Sequence, residues 1–192
     1  MRVVCAGEEE TVTSTSRTVG GATLELVRGD ITAQDDLDAV VNAANAQLQS
    51  GGGVAGAIHR AAGRRLARAC RPLAPISPGE VVATDAFDLP NHRVLHALGP
   101  VYGRDEPADA LLAACYRGAL ELADEEGLDS VGFPALSTGA FGYPLEEAAE
   151  VALTTVHEVL SAGSRVRLVR FVLFAEADLD AHAQVLATLP DT

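Results

Sequence analysis

Short apolar runs alternate along the chain with longer segments in which apolar residues recur every three or four positions. The short runs predict six strands, at residues 23–28, 39–42, 80–85, 94–97, 130–134 and 166–174. The longer segments predict four helices, at residues 54–70, 108–126, 145–162 and 178–189. Gly127 and Pro144 support two of these boundaries, because glycine commonly follows the end of a helix and proline commonly stands at its beginning.

Alternating strands and helices imply βαβ crossovers, and therefore a largely parallel sheet that is covered by helices on both faces. The 192 residues fit about one such domain, which we place at residues 22–192. Residues 8–21 are instead rich in Glu, Thr, Ser and Gly, so we expect residues 1–21 to form an N-terminal arm, an extra strand or a hairpin. Ligands of such sheets bind beyond the carboxyl ends of the strands, here the loops after Arg28, Asn42, Pro134 and Phe174.

The charge of the chain limits its partners. The net charge is −13, and all 14 basic residues are arginine. Nonspecific binding of nucleic acid relies on a basic surface, so we do not expect a nucleic-acid partner. Without lysine, neither P-loop phosphate binding nor a Schiff base is available. An anionic ligand would therefore be held largely by backbone N–H groups and helix N-termini.

The sequence predicts a soluble, cytoplasmic protein. No apolar run approaches the ~18 residues of a membrane span, and the N-terminus has no basic-then-apolar leader, so no membrane partner is expected. Cys5, Cys70 and Cys115 are odd in number and lack the spacing of a metal site. We interpret them as small core residues in a reducing compartment and expect no metal site.

The predicted strand that ends at Asn42 leads into Asn42-Ala43-Ala44-Asn45 and then into Gly51, Gly52 and Gly53, which open a helix. Consecutive glycines let the backbone approach a ligand and point successive N–H groups in one direction. The helix N-terminus adds a partial positive charge that suits phosphate, although a flexible turn is the alternative interpretation. The same glycines fit the dinucleotide-binding pattern G-x-G-x-x-G. That interpretation is weak, because eight residues separate Asn42 from Gly51.

A second strand-to-helix loop, at residues 134–143, combines small residues, hydroxyls and glycines with one large aromatic side chain, Phe141. Two such loops on neighbouring strands could clamp a diphosphate from both sides. Phe141 would then form an apolar wall for a sugar, or would pack under its own loop. Asp30 could accept a hydrogen bond from an exocyclic amine or cap the helical turn that follows it. Phe174 could pack on a base or belong to the core.

Six motifs follow one another along the chain: Asp30-Ile31, Asn42-Ala43-Ala44-Asn45, Gly51-Gly52-Gly53-Val54, Ala57-Ile58-His59, His96-Ala97-Leu98-Gly99-Pro100 and Pro134-Ala135-Leu136-Ser137-Thr138-Gly139. In this order they resemble the macrodomain family, from about residue 23 to residue 189. The resemblance implies a three-layer α/β/α domain with a mixed, mostly parallel central sheet. It also implies that the domain binds ADP-ribose and needs no cofactor.

The resemblance further implies a role for each matching residue. Asp30 would accept a hydrogen bond from the adenine amine, and Ile31 and Phe174 would contact the ring. The diphosphate would be held by backbone donors of the two loops, namely Gly51, Gly52, Gly53, Val54, Ser137, Thr138, Gly139, Ala140, Phe141 and Gly142. Asn45 would bind the distal ribose, which Phe141 would cover, and Asn42 would complete the ligand-binding set.

Residues 56–63 make the chain most similar to the MacroD-type hydrolases. Those enzymes remove ADP-ribose that is esterified to Asp or Glu side chains of proteins, and they deacetylate O-acetyl-ADP-ribose. The resemblance therefore implies ADP-ribosylated proteins as partners. The family pattern places an aspartate after the glycines to orient or activate water, whereas this chain has Ala55. Loss of a positioned general base typically costs ~10²–10⁴ in rate.

Three hypotheses follow from Ala55. In the first, which we favour, the diphosphate of the substrate activates the water and Asn45, the candidate catalytic residue, positions it. In the second, a relocated base acts, and the candidates are His59, Asp105 and Glu106. In the third, the protein is a noncatalytic reader that recruits a partner to ADP-ribosylated proteins.

Arg60, Arg64, Arg68 and Arg71 follow at spacings of four, four and three, which predicts a basic stripe on one helix. A solvated face paired with the acidic surface is one interpretation of this stripe. Contact with an acidic protein substrate is the other.

Overall fold

The computed structural model describes residues 15–190. Its strands are β1 Thr15–Val19, β2 Ala22–Arg28, β3 Ala39–Ala43, β4 Val81–Asp85, β5 Arg93–Ala97, β6 Ser130–Phe133 and β7 Leu168–Leu173. Its α-helices are α1 Gly53–Ala62, α2 Arg64–Cys70, α3 Ala108–Glu126, α4 Leu145–Ser161 and α5 Glu176–Thr188, and a short 3₁₀ helix spans Ile31–Ala33. None of the helices within residues 15–190 is both long and apolar enough to cross a membrane.

The strands form one sheet in the order β1-β2-β7-β6-β3-β5-β4. The five central strands run parallel, because β2 pairs with β7, β7 with β6, β6 with β3 and β3 with β5 in parallel register. The edge strands β1 and β4 are antiparallel to their neighbours. The prediction of a mixed, mostly parallel sheet is confirmed.

The central strand β3 shows why helices cover both faces of this sheet. Val41 packs into the core layer formed with α3, α4 and α5, whereas Val40 packs into the opposite layer with α1 and α2. Successive side chains of a strand point to opposite faces, so a strand of consecutive apolar residues is stable only between two layers. The result is the predicted three-layer α/β/α architecture.

The prediction of one continuous helix over residues 54–70 is wrong. Gly63 has a φ of +76°, which ends α1 and lets α2 start in a new direction. A Cβ atom at this position would lie 2.3 Å from Oδ2 of Asp88, so the chain needs a glycine here for its conformation and for space. The predicted stripe is therefore divided: Arg60 lies on α1, Arg64 and Arg68 lie on α2, and Arg71 directly follows α2.

Two further predictions concern the N-terminus and the cysteines. β1 pairs antiparallel with β2 through a turn at Gly20 and Gly21, so residues 15–28 form a hairpin. The rest of the predicted arm, residues 1–14, lies outside the described residues. Cys70 and Cys115 are buried and free, as expected for core residues. Cys5 lies outside the described residues.

Candidate functional site

A cavity of about 430 Å³ lies across the carboxyl ends of four neighbouring parallel strands, β7, β6, β3 and β5. Its walls are formed by Ala43, Ala44, Asn45, Gly51, Gly52, Gly53, Val54, Ala55, Gly99, Pro134, Ala135, Leu136, Ser137, Thr138, Gly139, Ala140, Phe141, Val172, Phe174 and Asp178. A larger depression of about 600 Å³ lies against α4 and α5. Backbone N–H groups inside helices are already bonded, so that depression offers no row of free donors.

The first wall of the cavity is the glycine loop that leads into α1. The N–H groups of residues 51–55 make no hydrogen bond to any described residue, as is usual at a helix N-terminus. Gly53 has a φ of +55°, which favours glycine. A Cβ at Gly56 would lie 2.3 Å from the carbonyl oxygen of Gly51, so the loop folds tightly onto its own helix. These features produce a row of free donors at the positive end of a helix dipole.

Asn45 holds the start of this loop in place. Its Nδ2 donates to the carbonyl oxygen of Gln49 over 2.7 Å, and its Oδ1 accepts from the N–H of Gln49 over 3.0 Å. One hydrogen on Nδ2 and one lone pair on Oδ1 remain available for a ligand. Asn45 can therefore shape the loop and contact a bound molecule at the same time.

The second wall is the loop that follows β6. The N–H groups of residues 137–141 have no partner within the described residues. The loop is closed by two hydrogen bonds, from the N–H of Gly142 to the oxygen of Gly139 and from the N–H of Tyr143 to the oxygen of Ser137. Ser137 has a φ of +64°, a strained conformation for a residue with a side chain. Its hydroxyl is buried without a hydrogen-bond partner among the described residues.

Eleven of the predicted ligand-binding residues line the cavity: Asn45, Gly51, Gly52, Gly53, Val54, Ser137, Thr138, Gly139, Ala140, Phe141 and Phe174. Phe174 is 84% exposed at the β7 end, which is unusual for a phenylalanine. Phe141 is half-buried and packs against the core layer that contains α1 and α2. Phe141 therefore both lines the cavity and contacts the core, and its role as a wall for a sugar stays a prediction.

Four predicted residues do not line the cavity. Asp30 follows β2, beside β7, and its Oδ1 accepts from the N–H and the hydroxyl of Thr32. Ile31 is buried in the core layer with α1 and α2. Gly142 donates within its own loop. Asn42 is completely buried beneath the cavity.

Asn42 belongs to a buried polar network between the sheet and α2. Its Nδ2 donates to Nδ1 of His96 over 3.1 Å, so the imidazole carries its proton on Nε2, which lies 2.9 Å from the hydroxyl of Thr84. The Cys70 thiol lies 3.7 Å from the same Nε2. Burial, together with the charge of His59, lowers the pKa of His96 to about 4. The network is therefore uncharged at neutral pH and supports β3, the strand that leads to Asn45.

The cavity contains almost no side chain able to act as a base. Ala55 lines it at the position where the family pattern has an aspartate. Asp178 is the only ionisable residue among the lining residues, and it lies at the β7 end beside Phe174. Asn45 follows β3, two strands away, which is ~10 Å across a sheet. A carboxylate is therefore present in the wall, but far from the Asn45 end.

None of the three candidates for a relocated base lines the cavity. His59 is buried, its Nε2 has no partner among the described residues, and burial lowers its pKa. Asp105 accepts from the N–H of Val101, and its ion pair with Arg104 lowers its pKa. Glu106 accepts from the N–H of Ala108. The two carboxylates stabilise their own loop, and the relocated-base hypothesis loses its structural support.

Gly99 and Asp178 are lining residues that sequence reasoning missed. Gly99 follows β5, so the rule that ligands bind at the carboxyl ends of strands would have found it. Asp178 lies in the first turn of α5, where an acidic residue usually serves the helix terminus, and its carboxylate does accept from the N–H of Ala175. Nothing in the sequence distinguishes this capping role from a position on a cavity wall. Among the described residues, no cluster of three His, Cys, Asp or Glu side chains could hold a metal ion.

Comparisons with known proteins agree with this geometry. The Macro domain family model matches residues 41–152. The O-acetyl-ADP-ribose deacetylase of Klebsiella pneumoniae is 44% identical over 171 residues, which cover 86% of this chain and 97% of that protein. The Oceanobacillus iheyensis macrodomain with ADP superposes with a TM-score of 0.89 at 40% identity and covers 93% of this chain and 97% of its own. The Trypanosoma brucei macrodomain in complex with ADP-ribose has a TM-score of 0.78 at 40% identity, covering 85% and 68%.

Proposed function

Because this chain belongs to the macrodomain family, we propose that it binds ADP-ribose and hydrolyses the ester that joins ADP-ribose to an Asp or Glu side chain of a protein. O-acetyl-ADP-ribose would be a second ester substrate. The observation that carries the proposal is the pair of loops at residues 51–55 and 137–141, which line one cavity and whose N–H groups have no partner within the described residues. Such donors suit a diphosphate in a chain that has no lysine.

The shape of the cavity supports an extended orientation of the ligand. The exposed ring of Phe174 offers a stacking surface for adenine at the β7 end. Asp30 follows the adjacent strand β2, and its Oδ2 remains available to accept from the adenine amine. The diphosphate would lie between the two loops. The distal ribose would then reach the β3 end, where Asn45 and Phe141 are located.

The reaction would use the chemistry of the substrate in place of a protein base. A water molecule attacks C1″ of the distal ribose, the bond between C1″ and the ester oxygen breaks, and the Asp or Glu side chain leaves as a carboxylate. The proton of the water passes to a diphosphate oxygen and then to solvent. Asn45 holds the water, and the methyl group of Ala55 leaves room for it. An anomeric ester has a good leaving group, so a modest catalyst suffices.

A second candidate function is that of a noncatalytic ADP-ribose reader. The observation that favours it is Ala55 itself, together with the position of Asp178 at the opposite end of the cavity. Loss of a general base usually lowers a rate by ~10²–10⁴. Binding of ADP-ribose by the two loops would be unaffected by that loss.

Release of ADP-ribose separates the two functions. The substrate is a protein mono-ADP-ribosylated on Glu or Asp, and mass spectrometry follows release by the native chain, by Asn45→Ala and by Gln47→Ala. Gln47 is an exposed residue of the same loop and provides a matched control. We expect release by the native chain and by Gln47→Ala, and about 10²-fold slower release by Asn45→Ala, because a displaced reacting group typically costs that much.

Calorimetric titration with ADP-ribose completes the test. Binding without release identifies a reader. Release at the native rate by Asn45→Ala contradicts the role of Asn45. Absence of both binding and release by the native chain overturns the proposed function.

A further inference from the structure

Acidic residues are distributed very unevenly along this chain. Residues 39–79 contain five arginines and no Asp or Glu, although the whole chain has a net charge of −13. The segment alone therefore has a charge of +5, and the rest of the chain has −18. The same segment supplies Asn45 and the glycine loop of the cavity. A basic surface thus adjoins the site in an otherwise acidic protein.

Four of the five arginines of this segment share two properties, and they lie one on α1, two on α2 and one directly after α2. Arg60, Arg64, Arg68 and Arg71 are all exposed, and within residues 15–190 none of them forms an ion pair. Arg65 differs, because it pairs with Asp88. Other arginines of the described chain also have a carboxylate partner, among them Arg93, Arg104, Arg117 and Arg170. We refer to Arg60, Arg64, Arg68 and Arg71 as the arginine face.

The arginine face begins at the rim of the cavity. A guanidinium nitrogen of Arg60 lies 3.0 Å from the position that a Cβ of Gly56 would occupy, and that same position is 2.3 Å from the carbonyl oxygen of Gly51. The Arg60 side chain therefore folds back along α1 toward the glycine loop. From Arg64 to Arg71 the face continues for ~10 Å, at 1.5 Å per helical residue. A ligand that leaves the Asn45 end of the cavity would meet Arg60 first.

We propose that the arginine face binds acidic residues that flank the modified Asp or Glu in an ADP-ribosylated protein. The inference rests on the proposed function, which places the ester at the Asn45 end of the cavity. Four guanidinium groups without carboxylate partners in the described chain complement a short acidic segment. The rest of the chain has a net charge of −18, which disfavours binding of an acidic partner elsewhere on the protein.

A nucleic acid fits the arginine face less well. Base recognition in single strands uses exposed aromatic side chains for stacking, and residues 53–72 contain no Phe, Tyr or Trp. A long polyanion would also extend beyond the ~10 Å track onto acidic surface. A short acidic peptide segment meets neither difficulty.

The experiment compares peptides that carry ADP-ribose through an oxime linkage, which resists hydrolysis, so binding can be measured whether or not the protein is an enzyme. One peptide has Glu and Asp at the flanking positions, and its partner has Gln and Asn. The variant is the triple substitution Arg64→Gln, Arg68→Gln and Arg71→Gln. The control is a second triple substitution, Arg117→Gln, Arg165→Gln and Arg167→Gln. These arginines do not line the cavity, and their substitution changes the net charge by the same amount as the arginine-face variant does.

We expect the native chain and the control variant to bind the acidic conjugate roughly tenfold more tightly than the neutral one at low salt, from three exposed ion pairs. The preference should shrink as salt rises, because exposed pairs are screened. The arginine-face variant should lose most of this preference and keep only the part that Arg60 contributes, with unchanged affinity for free ADP-ribose.

Three results would overturn the inference. The first is an equal affinity of the native chain for the two conjugates. The second is an undiminished preference for the acidic conjugate in the arginine-face variant. The third is a tighter binding of an ADP-ribosylated oligonucleotide than of the acidic conjugate, which would identify a nucleic acid as the partner of the arginine face. Binding of free ADP-ribose tests the proposed function separately. A native chain that does not bind free ADP-ribose contradicts the proposed function, whereas a chain that binds it but shows no preference for the acidic conjugate contradicts only this inference.

Discussion

Gly99 joins the two sides of the cavity through a contact that leaves no room for a side chain. A Cβ at this position would lie 2.1 Å from the hydroxyl oxygen of Ser137 and 3.4 Å from its Cβ. The first distance is more than 1 Å shorter than ordinary nonbonded contact, whereas the second is tolerable. Ser137 is itself held in place by the hydrogen bond from Tyr143 to its carbonyl oxygen. Gly99→Ala therefore forces the second loop, or the Ser137 side chain, to move.

The size of the effect follows from the cost of inserting a methyl group into a packed site, which is typically about 1–3 kcal/mol. Because the displaced loop carries the free N–H groups of residues 137–141, we expect that cost to appear in ligand affinity. It corresponds to ADP-ribose binding that is ~5- to 150-fold weaker. Ser137→Ala removes the clashing oxygen and leaves only the tolerable contact, so the double variant should recover most of the loss.

Calorimetric titration of the native chain, the two single variants and the double variant with ADP-ribose measures this coupling as a double-mutant cycle. Ser137→Ala alone should lose little, and thermal unfolding of each variant checks that the fold is intact. Native affinity in Gly99→Ala would refute the argument that the loop position depends on this glycine. A double variant no better than Gly99→Ala would refute the argument that the hydroxyl oxygen causes the clash.

Two other predictions concern Phe174 and His96. Phe174→Ala should weaken ADP-ribose binding by ~1–3 kcal/mol through lost base stacking, without a change in melting temperature because the ring is 84% exposed. Ribose 5-phosphate, which has no base, should bind the native chain and the variant equally. Equal affinity of the two proteins for ADP-ribose would contradict the stacking role. The pKa of His96 lies at about 4 in the folded chain, below its usual 6.5. Between these two pH values the unfolded chain binds a proton on His96 that the folded chain does not bind. The free energy of unfolding should therefore fall by about 3 kcal/mol as the pH drops from 6.5 to 4. Urea unfolding between pH 4 and 7.5 measures how the free energy of unfolding depends on pH. This dependence should be weaker in His96→Gln than in the native chain, and an equal dependence in the two proteins would contradict the assignment.

Local sequence patterns were sufficient to predict the layers and the two loops that line the cavity. The alternation of apolar runs and helical periodicity reflects which side chains must be buried, and this information is local. Glycine-containing loops between a strand and a helix are equally local signals, so the amino-acid sequence alone is enough to identify the loops at residues 51–56 and 134–143, parts of which line the cavity.

Features that depend on distant residues could not be predicted from the sequence. The break at Gly63 depends on a positive φ, and Asp88, which is far away in the chain, fills the space that a Cβ would need at this position. Asn42 carries the same side chain as Asn45, yet only its burial against His96 separates a core residue from a residue of the cavity wall. The lining position of Asp178 likewise depends on how α5 packs beside β7.

An acidic chain can offer a site for a diphosphate dianion when its acidic residues lie away from that site. The segment 39–79 has no Asp or Glu and supplies both the glycine loop and the arginine face. The cavity wall has a single ionisable residue, Asp178, at the end opposite Asn45, so free backbone donors set the local electrostatics. An aspartate at position 55 would add a negative charge beside the proposed diphosphate position. Ala55 therefore favours retention of the dianion, and under the proposed function that same dianion is the base that acts on the water at the ester.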